Sequence, residues 1–149
     1  NIYNNNKYIA QSFLNVNSLS DTLFVSLGRD NQITVKRTKI KATSKKQFLG
    51  SAKIISAGYE IAVRNAKSAA ITLEIQDQIP ISDDKEVIIT LGERSGAEYD
   101  DKKGFLIWRV PLAAQETKTV RFDFSVKSPK DKVIRVEISK ERKMMAPKF

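Results

Sequence analysis

The side chains able to do chemistry in this chain fall into an acidic group, a basic group and a single indole. Asp77, Asp83 and Asp84, with Glu86 close behind, bring four carboxylates into one short segment. Hard oxygen ligands of this kind suit calcium. The spacing, however, lacks the alternating acidic positions and central glycine of a dedicated calcium loop. The simpler reading has Asp77 capping a turn and Pro80 ending a strand ladder. Asp77 also follows an apolar alternation on its buried phase, so it is the best single candidate for acid–base work. Glycoside hydrolysis would need a second carboxyl across a cleft, and no spacing identifies one. Glu98, Asp100 and Asp101 read as a solvated loop.

Lys36, Arg37, Lys39 and Lys41, followed by Lys45 and Lys46, make a basic stripe. A stripe like this could contact an anionic ligand with salt-dependent affinity. Nucleic-acid modules add exposed aromatics on which bases stack, and none is interleaved here, so no nucleic-acid partner is expected. The alternative is an exposed strand edge guarded by lysines against edge-to-edge pairing, and this reading is preferred. Trp108 shares a strand face with Leu106 and Val110, which places it in a core rather than on a sugar-stacking platform. The chain has no histidine and no cysteine. The commonest general base, the commonest metal ligand, thiolate nucleophiles and disulfides are all excluded. No catalytic residue, metal site or cofactor is expected, and the chain is not read as an enzyme.

These groups must be positioned by strands. Large apolar and polar residues alternate in Tyr59–Arg64, Ile71–Asp77, Val87–Leu91, Leu106–Val110 and Val120–Val126, and again in Val133–Ile138. That is the period of half-buried β-strands. Tyr8–Val16, Thr22–Leu27 and Ile33–Ile40 read as further strands, with a turn around Gly28 and a loop tip at Thr43–Lys46. Breakers at Asn65–Ser68, at Pro80 and Ser82–Asp84, and a polar loop from Gly92 to Gly104 are spaced as a sandwich requires. A chain of 149 residues with 41% hydrophobic content can bury a core of its own. No apolar run is long enough to cross a membrane. The net charge of +9 is uneven. Residues 1–58 carry nine Lys/Arg against two Asp, residues 59–128 ten against twelve acids, and residues 129–149 seven against three.

The predicted fold is all-β: an immunoglobulin-like antiparallel β-sandwich over residues 48–138, with additional N-terminal β-strands. Residues 1–47 would extend the sandwich or form a small β appendage, and residues 139–149 a flexible basic tail. The core is expected at Tyr59, Ile61, Leu73, Ile75, Trp108, Phe122 and Phe124, with Pro80 and Gly104 shaping the loops. The first residue is Asn1 rather than Met, and the chain reads as a piece of a longer protein.

Leu27-Gly-Arg-Asp30, Tyr59-Glu-Ile-Ala-Val-Arg-Asn65, Asp77-Gln-Ile-Pro-Ile-Ser82, Gly104-Phe-Leu-Ile-Trp108 and Ser128-Pro-Lys-Asp131 occur in that order. In this the chain resembles the C-terminal domain of mucoidy-inhibitor A-like bacterial proteins, a domain-of-unknown-function family. The resemblance implies a larger exported parent, periplasmic or envelope-associated, with a separate N-terminal β domain and a coiled-coil segment. It carries no catalytic residues. The expected role is a structural or protein-interaction module, with upstream domains of the same protein, and another envelope protein or a glycan, as partners. A carbohydrate- or anionic-ligand-binding module is the alternative.

Overall fold

The computed structural model describes residues 2–4, 7–10, 30–41, 43 and 45–131. Every regular element among them is a strand, and every pairing is antiparallel. β1 (Ile2–Asn4) and β2 (Lys7–Ala10) form a hairpin of their own. A five-stranded sheet is built from β3 (Ile33–Ile40), β4 (Lys46–Leu49), β5 (Ala52–Asn65), β7 (Ile88–Leu91) and β10 (Thr117–Pro129). A three-stranded sheet holds β6 (Ile71–Gln78), β8 (Glu98–Asp100) and β9 (Phe105–Leu112). The predicted sandwich is present. The sequence-predicted strand Val133–Ile138, the basic tail at 139–149, and the N-terminal readings across 11–29, including the Gly28 turn, lie outside the described residues.

Alternation sets the faces, because a strand's side chains point to opposite sides with a period of two. Tyr59, Ile61 and Val63 of β5 are buried, and they pair in register with Phe122, Val120 and Lys118 of β10. Leu73 and Ile75 of β6 face inward beside Val110 and Trp108 of β9. The apolar residues of the two inner faces interdigitate, which is the usual way a sandwich fills its core. β10 lies between β5 and β7 and has both edges paired over Phe124–Lys127. Its Val120, Phe122, Phe124 and Val126 are all buried, so it is the strand around which the large sheet closes.

β3 and β4 lie end to end along the same edge of β5. β3 pairs with Gly58–Asn65 and β4 with Ala52–Ile55. β4 straddles the end of the expected loop tip Thr43–Lys46 and the expected start of the sandwich at residue 48, where the sequence predicts no strand, and β8 falls in the stretch expected as a polar loop. Both are too short, at four and three residues, for alternation to announce them. At one end, buried Asn65 closes the molecule. Its amide donates to the carbonyls of Ala69 and Ala113, each at 2.8 Å, and its side-chain oxygen accepts the Lys67 amide at 3.0 Å. The β5–β6 and β9–β10 turns are thereby fastened together. No helix among the described residues is long and apolar enough to cross a membrane.

Candidate functional site

Arg37 leaves the basic stripe. On β3 it shares a face with Ile33 and Val35, and it pairs with Ile61 on the inner side of the large sheet. Asp77 ends the inward-facing row Leu73, Ile75, Asp77 on β6 in the small sheet. The two meet across the open side of the sandwich, with Arg37 Nε donating to Asp77 Oδ2 at 2.6 Å. Their side chains are 22% and 14% exposed, so the pair is largely shielded from water. The Asp77 Oδ1 also accepts the Gln78 amide at 2.8 Å. The guanidinium lies 3.6 Å from the Tyr59 ring centroid, within range of a cation–π attraction. Tyr59 stacks on Phe122 at 5.3 Å, and Phe122 meets Trp108 at 5.7 Å. Trp108 Nε1 then donates to the Arg94 carbonyl at 2.8 Å. A continuous strut therefore runs from the β3/β6 edge, through the core, to the loop after β7.

The other basic residues separate by face. Lys36, opposite Ala62, points to the outer side of the large sheet, and Lys39, opposite Tyr59, stays exposed on the inner phase near the strand's end. Lys41 is in the turn after β3, and Lys46 reaches toward the Phe48 ring at 5.5 Å. Lys45 is bonded through its backbone to Ser56 in both directions and lines a concavity of about 420 Å³ on the outer face. That trough is made by register. Ser56, Ser125 and Thr90 stand in one cross-strand row, and Asp123 stands opposite Gly58 in the next. Gly58 and Gly92 flank Asp123 and supply no side chain. A Cβ on Gly58 would collide with the Thr43 hydroxyl, and one on Gly92 with the Asp123 carboxylate. Among the described residues neither Lys45 nor Asp123 makes an ion pair. The trough thus offers hydroxyls, one ammonium and one carboxylate on an open, shallow surface.

Of the residues read as possible calcium ligands, Asp77 is paired with Arg37, and Asp84 and Glu86 lie in successive side-chain-capped turns. Ser82 Oγ accepts the Asp84 amide at 3.2 Å and Asp84 Oδ1 accepts the Glu86 amide at 3.0 Å. Among the described residues no group of three or more acidic, histidine or cysteine side chains is placed to hold a metal.

The family model described as a domain of unknown function (DUF4139) matches residues 4–130. This chain belongs to the DUF4139 family. No curated protein matches it, and no solved structure matches it. The DUF4139 match takes in both the Arg37–Asp77 strut and the trough. Ser56, Thr90, Asp123 and Ser125 escaped the sequence reading because they are ordinary polar positions of alternating strands. The one signal pointing to them is Gly58 inside a long strand, a residue type that marks close approach of another group.

Proposed function

We propose that this DUF4139 domain is a non-catalytic structural and protein-interaction module of a larger, exported bacterial envelope protein of the mucoidy-inhibitor A-like kind. The observation that carries this reading is the fate of Asp77. The carboxylate best suited by sequence to acid–base work is held by the Arg37 guanidinium at 2.6 Å and braces the two sheets. Trp108, the one indole, is 3% exposed and bonded to a loop carbonyl, so it serves the core and not a sugar platform. The ordered motifs that resemble the mucoidy-inhibitor A-like domain support a periplasmic or envelope location, with upstream domains of the same protein as first partners. The trough favours a second reading, a site for a carbohydrate or anionic ligand contacted by Lys45.

A crosslinking pull-down from envelope extract at physiological salt, read by mass spectrometry, tests both. The interaction module predicts one enriched protein with crosslinks clustered on a single face. Capture of a glycan that Lys45→Gln abolishes would establish the second reading. Retention of nothing by the chain would count against both, and the module would then act only as an intramolecular brace.

A further inference from the structure

The β4–β5 hairpin carries the two most exposed large apolar side chains of its sheet at its tip. Phe48 is 59% exposed and Leu49 is 68% exposed. They project to opposite faces, since Phe48 pairs with Lys53 and Leu49 with Ala52, so apolar surface covers both sides of the tip. Gly50 turns the chain there with φ +56°, and its Cβ position has nothing within 4 Å. The tip is unencumbered.

Around it stand lysines. Lys46 Nζ is 5.5 Å and Lys130 Nζ 5.7 Å from the Phe48 ring centroid. Lys130 is held in place because its backbone amide donates to the Ser51 carbonyl at 3.0 Å. Lys53 lies between them on β5, opposite both Phe48 and Ser128. None of these three makes an ion pair among the described residues. Residues 31–59 contain seven Lys/Arg and no Asp or Glu, and the chain continues beyond Asp131 with six Lys/Arg against two Glu in residues 132–149.

We propose that this tip docks on an anionic lipid surface, with Phe48 and Leu49 entering the headgroup boundary and Lys46, Lys53 and Lys130 meeting lipid phosphates. Apolar insertion and basic attraction are the two signals whose combination makes peripheral membrane binding stable. A strand edge guarded only against aggregation calls for charge; it gives no reason for two large apolar side chains at the turn. A second copy is a poor occupant, because its lysines would face these lysines at short range.

The test is co-sedimentation of the whole chain with vesicles of phosphatidylcholine alone and of phosphatidylcholine mixed with phosphatidylglycerol. Three forms are compared: wild type, Phe48→Ser with Leu49→Ser, and Lys46→Gln with Lys130→Gln. Emission from buried Trp108 checks that each form is folded. The proposal expects wild type to bind the mixed vesicles and not the neutral ones, with binding reduced at high salt. Each lysine near the surface supports binding by several-fold, so the lysine variant should lose on the order of tenfold or more. The serine variant should lose binding at every salt concentration. Equal binding to neutral vesicles, no binding by wild type, or full binding by both folded variants would each overturn it, the last by assigning the attraction to residues 132–149. Sedimentation without vesicles that the serine variant abolishes would also overturn it, in favour of a contact between copies.

Discussion

Replacing Trp108 with alanine removes a side chain that is 3% exposed, packs on Phe122 at 5.7 Å and donates to the Arg94 carbonyl at 2.8 Å. Burial of an aromatic of this size and the cavity left behind set the expected loss at about 3–5 kcal/mol. Trp108→Phe keeps most of the ring contact and strands only the carbonyl, so about 1–2 kcal/mol is expected. Urea unfolding followed by circular dichroism measures both. An alanine variant that loses less than about 1 kcal/mol would be behaving like a surface position, and the indole would not be a core anchor. Gly104 shows the same economy of space in the backbone. It has φ +71°, and a Cβ there would lie 2.5 Å from the Ile79 carbonyl oxygen, whose residue's amide donates to the Gly104 carbonyl at 2.9 Å.

Strands β3 and β6 are the exposed edges on one side of the sandwich, and each carries a charge on its inward phase. An inward-pointing charge is one way to keep an edge from pairing with another chain. Here the two charges also satisfy each other between sheets. Arg37→Ala leaves Asp77 in a largely shielded position with only backbone support, and Asp77→Ala strands the guanidinium over Tyr59. Each single change is expected to cost about 2–3 kcal/mol, below the range for a fully buried pair because water still reaches the site. The double variant should cost clearly less than the sum, with a coupling of about 1 kcal/mol or more. Additive losses would mean the pair contributes nothing as a pair. The strut was half legible in the sequence. Arg37 is in phase with Ile33 and Val35, and Asp77 with Leu73 and Ile75, so opposite charges on two buried phases pointed to a partner. Counting Arg37 with its basic neighbours concealed it. The long strands β5, β6, β9 and β10 were readable because their alternation is sustained. β4 and β8 were not, since a three- or four-residue strand is defined by what it pairs with. Of the trough only Gly58, a glycine inside a long strand, gave any sign, because the trough exists only once the register of β4, β5, β10 and β7 is fixed.

Charge and protonation act on the molecule as a whole. The chain has no histidine and no cysteine, so no side chain has an ordinary pKa between the carboxylates and the phenols and amines. Melting temperature is therefore expected to stay level from about pH 6 to about pH 8. On the acid side, the hydrogen bond from Lys67, helped by the Gln32 amide, holds the Asp30 carboxyl below its ordinary value against a smaller opposing effect of burial. A depressed carboxylate adds stability above its unfolded-state pKa of about 3.9 and loses it as pH falls further. For so exposed a pair the contribution is less than about 1 kcal/mol. The larger acid effect is collective. Protonating all 17 Asp and Glu would leave 26 Lys and Arg unopposed, and their mutual repulsion favours the expanded chain. On the alkaline side, burial foremost, then Asp101 and Asp100, pushes the Tyr99 phenol up. The unfolded chain ionises first, so this group withdraws stability as pH rises past about 10. Thermal melts of wild type and Asp30→Asn across this range check the account. The variant should melt slightly lower on the plateau and converge with wild type once the pH has fallen through the lowered pKa of folded Asp30, where the carboxyl is protonated in both states. Added salt should recover part of the acid loss by screening the lysines and arginines. A step in stability near neutral pH would show that a group with a strongly displaced pKa governs the fold, and the charge argument would then fail.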